Sequence, residues 1–182
     1  MLFQRVITAL VLLPLVILAI FTLEIERFAI CIAAIIAIAA WEWFGFFTED
    51  KRKRIPYVVS VVALMWLIRE SSLPMTLWHG FIMPEHFVEW FAPNQMAMTV
   101  LFLGACWWLF ALVLLIVYPR ISQTIATNSL WYIPIGWLIL LPTWVGIVGI
   151  RSMSIDLYPL HGAKMVLFVS VSYTHLTLPT IA

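Results

Sequence analysis

The chain alternates long apolar runs with short polar connections, and most runs have the length of membrane helices rather than buried strands. The first, residues 6–23, is almost wholly apolar and contains Pro14, which predicts a kinked span. Glu24-Ile25-Glu26-Arg27 then turns the chain into a second span, 28–47. In it Ala29, Ala33 and Ala37 recur every four residues, a small-residue stripe that lets another helix approach closely; plain helix propensity would also place alanines there. A third span, 55–68, is short and closes on Arg69-Glu70. Residues 71–94 are too polar, and too broken by Pro74, Pro84 and Pro93, to cross. Within them Glu85 and Glu89, and Phe87 and Phe91, are spaced as in a short amphipathic turn lying in the interface, where Trp78 and Trp90 would suit headgroup depth. A fourth span, 96–118, ends at Tyr118-Pro119-Arg120, and a polar loop covers 121–129. The fifth, 130–150, carries Pro134, Gly136, Pro142, Gly146 and Gly149. So irregular a helix is predicted to sit inside the bundle. An outer loop, 151–164, leads to a sixth span opening at Met165. That span looks cut off after Val169, because residues 170–182 bring five Ser or Thr, a His and a Pro. The expected organisation is an all-α polytopic transmembrane bundle over 1–169, with five complete spans and a sixth begun. Residues 170–182 are expected to be an unrelated tail that resembles adapter read-through.

Composition removes the soluble classes. Hydrophobic residues make up 64%, charged residues 10%, and the mean hydropathy is +1.06, so lipid must solvate much of the surface. A net charge of +1 gives no reason to expect a nucleic-acid partner. Cys31 and Cys106 lie in apolar runs, where thiols pack as small hydrophobes, and neither a disulfide nor a metal site is expected of them. The N-terminal run exceeds a signal h-region and lacks a small-x-small cleavage site before Glu24, so it is read as a retained span.

The sharpest charge feature is Lys51-Arg52-Lys53-Arg54, read as a solvated loop at the membrane surface that holds orientation and attracts anionic headgroups. With the N-terminus inside, Arg5, these four and Arg120 face the cytoplasm, and Arg27, Arg69, Arg151 and Lys164 face outward. No Gly-rich phosphate loop, metal-spaced histidine pair or nucleophile–base arrangement is visible. His79, His86 and His161 are read as solvated, and His175 belongs to the tail. Glu42, between Trp41 and Trp43, is an acid embedded in a span. It either reaches headgroup water or contributes to binding a polar substrate. A non-enzymatic scaffold or transporter part is the competing class, but no internal repeat or further intramembrane charge supports it.

Arg5 to Ala9, followed by Val11 to Val16, resembles the first span of the bacterial phosphatidate cytidylyltransferases (CDP-diacylglycerol synthases). Ala39-Ala40-Trp41-Glu42-Trp43 is similar to the end of that family's second span. Tyr118-Pro119, Leu141-Pro142-Thr143-Trp144-Val145-Gly146, Ile150-Arg151 and Gly162-Ala163 follow in the family's order. The resemblance covers about residues 2–169. It implies a membrane enzyme that joins phosphatidic acid to CTP, releasing pyrophosphate with Mg2+, in the bacterial cytoplasmic membrane, with the assembly open between monomer and homodimer. The family's Trp-Gly-Ala-Asp-Ser-type segment and its later metal- and nucleotide-binding signature have no counterpart in this sequence. No catalytic or metal residue is carried over, and the 182 residues alone are expected to be inactive.

Overall fold

A computed structural model describes residues 13–71, 95–125, 131–153 and 160–177. Among these residues every regular element is a helix: α1 Leu13–Thr22, α2 Ile25–Gly45, α3 Lys51–Ser71, α4 Gln95–Ile125, α5 Tyr132–Ser152 and α6 His161–Thr177. The expected all-helical membrane bundle is therefore observed. The amphipathic turn at 84–91, Trp78, Trp90, His79, His86, Arg5 and the start of the first span lie outside the described residues.

α2, the Met96–Ile116 part of α4, and α5 are each long and apolar enough to cross a membrane. Five complete spans were expected. α3 has 21 residues, about 31 Å of helix, close to the hydrocarbon thickness. Its apolar stretch is shorter because Lys51–Arg54 and Arg69-Glu70 belong to the helix itself.

α5 is the hub, packing against α2, α3, α4 and α6. Its buried positions are Gly136, Leu140, Leu141, Trp144, Val145, Val148 and Gly149, as expected for a span enclosed by protein. The expected break is absent: α5 is one continuous helix through Pro142. Proline at 142 removes the hydrogen bond that would reach the Leu138 carbonyl. The neighbouring helix closes over this point, since a Cβ on Gly104 of α4 would stand 2.5 Å from Pro142 Cγ and 3.6 Å from the Leu138 oxygen. Only a glycine lets the proline ring come so near; the Leu138 oxygen lies at ordinary contact distance.

α2 packs its small-residue side inward: Ala29, Ile36 and Ala40 are buried with Tyr57, Val61, Met65 and Ile68 of α3 and with the core of α5. A second cluster joins Ile20 of α1, Phe28, Ala163 and Val166 at the opposite end from Lys51. Outward faces are apolar too, including Ile35, Ile38, Val59, Trp66, Phe102, Trp108, Leu115 and Ile116. Water would not tolerate such a surface on a monomer, whereas lipid tails do.

Indole nitrogens tie the core together. Trp144 donates to the Ala29 carbonyl at 3.0 Å, Trp137 to Ser60 Oγ at 3.2 Å, and Trp43 to the Tyr132 carbonyl at 3.1 Å. Each bond crosses from one helix to another, which answers the need to satisfy polar groups where water is scarce.

Several boundaries differ from expectation. Residues 121–125, expected as loop, continue α4. Arg151 and Ser152 end α5 rather than opening an outer loop, and α6 starts at His161, ahead of Met165. The helix does not stop at Val169; it runs to Thr177. Ser170 and Ser172 donate to the Val166 and Phe168 carbonyls at 2.9 and 2.8 Å, four residues back, so their hydroxyls are satisfied within the helix.

Candidate functional site at the Lys51 end of the bundle

The alternating helix directions bring the end of α2, the start of α3 and the start of α5 together. Arg27, Arg69, Arg151 and Lys164 lie at the opposite end. The connection between α2 and α3 is short, and its polar atoms build the next helix. Thr48 Oγ1 accepts from the Asp50 amide at 3.3 Å, and Asp50 Oδ1 accepts from the Arg52 amide at 3.0 Å. The Asp50 carbonyl takes the Lys53 amide at 3.1 Å. This is the bonding of a helix N-cap, and it corrects the reading of Lys51–Arg54 as a loop. Those four residues form the first turn of α3. Asp50 works as a cap, and among the described residues neither it nor Glu49 forms an ion pair with them.

The tetrad then divides. Arg54 turns back: its Nε and Nη2 donate to the Thr48 carbonyl at 3.2 and 2.8 Å, and its guanidinium lies 5.6 Å from the Trp41 ring centroid. Gly45 leaves room for this fork, since a Cβ there would stand 2.8 Å from Arg54 Nη1. Arg54 therefore clamps the turn. Lys51, Arg52 and Lys53 are exposed.

Beneath the turn lies an aromatic layer. Phe47 stacks on Tyr132 at 3.6 Å between centroids, Phe44 stacks on Tyr57 at 4.9 Å, and Trp43 meets Phe47 edge-on at 5.7 Å. Tyr57 is 4% exposed, and its hydroxyl has no hydrogen-bond partner among the described residues. It abuts Gly136, where an added Cβ would collide with the Tyr57 hydroxyl and stand 2.5 Å from Trp43 Nε1.

Glu42 is exposed in the last turn of α2, following Ile35 and Ile38 along the lipid-facing side. It is not brought together with Lys51–Lys53 by any hydrogen bond or ion pair among the described residues. No group of three or more His, Cys, Asp or Glu side chains among the described residues could hold a metal ion.

Sequence reasoning missed the work done by Arg151. Its Nε and Nη2 donate to the Ile20 and Leu23 carbonyls at 2.7 and 3.1 Å, and its guanidinium lies 5.8 Å from the Phe28 ring centroid. It caps the end of α1 from α5. The other arginines at this end of the bundle are engaged as well: Arg69 pairs with Glu26 and Glu70, and Arg27 with Glu24, each at 3.7 Å.

Comparison with known proteins gives a consistent result. The sequence is 36% identical over 155 residues to a protein of Pseudomonas aeruginosa named phosphatidate cytidylyltransferase, covering 84% of this chain and 48% of that one. It is 27% identical over 175 residues to the protein of that name from Haemophilus influenzae, covering 94% of this chain and 56% of that one. The chain belongs to the bacterial phosphatidate cytidylyltransferase family. It spans about half the length of these two curated relatives. No family model matches it, and no solved structure is significantly similar. Three packing residues named above, Trp43, Trp144 and Arg151, fall on the motifs that carry the resemblance.

Proposed function

We propose that the protein to which this chain belongs transfers a cytidylyl group from CTP to phosphatidic acid, giving CDP-diacylglycerol and pyrophosphate. The observation that carries this reading is the 36% identity over 155 residues to a phosphatidate cytidylyltransferase. A second match of the same name and the helical membrane bundle support it. The described residues supply helix packing and a charged surface. The transfer chemistry, with Mg2+ to offset phosphate charge, is proposed to reside in the part of the relatives that this chain does not span. Glu42 stays a candidate contact to a polar substrate, because an exposed carboxylate in the last turn of a span can reach the interface.

The test is metal-dependent pyrophosphate release from CTP and phosphatidic acid, run on the 182-residue chain and on the full-length gene product. Turnover by the full-length product alone is expected. An inactive full-length product would remove the family activity, and clear turnover by the 182 residues would remove the division of labour. The assembly stays open between monomer and homodimer, and the mass from light scattering decides it. The same reading carries a cytoplasmic-membrane location with Lys51–Arg54 facing the cytoplasm. Thr48→Cys lies just before α3 and Ser71→Cys at its last residue, and labelling of both from one side would reject that topology.

A further inference from the structure

Lys51, Arg52 and Lys53 are exposed in the first turn of α3, and nothing in the fold explains why they are basic. Cations at a helix N-terminus stand against the positive end of the helix dipole, where acids would be favoured. Among the described residues none of the three forms an ion pair. Of the neighbouring groups, Asp50 Oδ1 caps the Arg52 amide and the Thr48 carbonyl holds Arg54, while Glu49 forms no ion pair with any of the three among the described residues. At the other end of the bundle, by contrast, Arg27, Arg69 and Arg151 are all engaged by carboxylates or carbonyls. Among the described residues, unengaged positive charge is thus concentrated at one edge, with Lys164 exposed at the other. Phe46, 82% exposed, projects from the same α2–α3 turn, the kind of aromatic that settles at the headgroup–acyl boundary.

We propose that the α2–α3 edge is a binding surface for anionic phospholipid headgroups, with Lys51, Arg52 and Lys53 as the contacting cations and Arg54 as the residue that positions them. The Arg54 fork fixes the turn, so the three side chains leave one helical turn together and meet the headgroup layer as a cluster. The surface selects lipid by charge. It concerns the lipids that surround the bundle and does not depend on the cytidylyltransferase reading.

The test reconstitutes the full chain in nanodiscs of phosphatidylcholine with a minority of phosphatidylglycerol, then measures the ratio of the two lipids retained after mild detergent extraction. A juxtamembrane cation favours an anionic surface by up to about fivefold each. Enrichment of phosphatidylglycerol by at least about fivefold over the bulk ratio is therefore expected for the unmodified chain. It should fall towards the bulk ratio in K51Q/R52Q/K53Q and persist in the charge-preserving K51R/K53R. It should also persist in K164Q, which removes an exposed cation at the opposite end. On the unmodified chain, where folding is not in question, raising the salt towards 1 M should abolish it, because screening then acts within about 3 Å. Enrichment that survives the triple substitution or high salt, or that K164Q removes equally, would overturn the proposal. So would binding of inorganic triphosphate by the chain in pure phosphatidylcholine discs, if the triple substitution abolished it; the surface would then serve a soluble anion.

Discussion

Gly136 and Gly146 lie ten residues apart on α5, and substitution by alanine should have opposite effects at the two sites. At Gly136 a Cβ would collide with the buried Tyr57 hydroxyl and come 2.5 and 2.8 Å from Nε1 and Cδ1 of Trp43. Real Cβ atoms essentially never sit so close, so α3 or the indole must move. Overpacking of this kind costs about 1–3 kcal/mol. Displacing the indole would also weaken its 3.1 Å bond to the Tyr132 carbonyl, worth roughly 0.6–1.7 kcal/mol between membrane helices. Against this, alanine gains about 0.8–1 kcal/mol of helix propensity. The net expectation for Gly136→Ala is a loss of about 1–3 kcal/mol. At Gly146 the nearest neighbour to a new Cβ is Leu101 Cδ2 at 3.9 Å, an ordinary contact, so only the propensity gain remains. Gly146→Ala should be neutral or stabilising by up to about 1 kcal/mol.

Tyr57 gives the decisive control. Its hydroxyl is the atom nearest the new methyl and has no partner among the described residues, so Tyr57→Phe should cost little alone. In the Gly136→Ala background it should restore about 1 kcal/mol or more, a coupling that a double-mutant cycle measures. The assay is equilibrium unfolding by SDS titration in mixed micelles, followed by tryptophan fluorescence. Equal stability of the two alanine variants would refute the three-helix junction at Gly136. A coupling energy within error of zero would show that the hydroxyl is not what fills that space.

Asp50→Ala should fray the first turn of α3 at a cost of about 1 kcal/mol, seen as faster amide exchange at residues 51–54, while Asp50→Ser keeps most of the cap. Trp144→Phe removes a bond at a side chain only 2% exposed and should cost about 1–2 kcal/mol in the same unfolding assay. Arg151→Gln should release the end of α1, costing about 1.5–3 kcal/mol for the charge-assisted bonds to Ile20 and Leu23 and raising proteolysis at the Leu23-Glu24 connection between α1 and α2. Lysine at 151 keeps the charge but not the fork, and should restore only part of the resistance.

The helical class was legible because apolar runs near 20 residues have few other physical outcomes, and the position of α5 followed from its glycines and prolines. What misled was local chemistry read without its acceptors. Four consecutive cations look like a loop until Asp50 is seen to cap the Arg52 amide, a bond that needs only Thr48 and Asp50 in the right turn. The continuation of α6 past Val169 was not legible because the hydroxyls of Ser170 and Ser172 bond four residues back within the helix. The partners of Trp43, Trp144 and Arg151 could not be read at all, since each is a main-chain carbonyl of another helix, and every residue type carries one. Gly162 belongs with them: its amide meets the Met153 carbonyl at 3.1 Å, and a Cβ there would stand 2.7 Å from the Ile150 oxygen. Trp43, Trp144, Arg151 and Gly162, all in motifs that carry the resemblance, thus perform one physical task, bringing a donor or a missing side chain to a neighbouring backbone. Carbonyl acceptors set the helix spacing without setting a reaction. That is why the resemblance identifies the bundle so well.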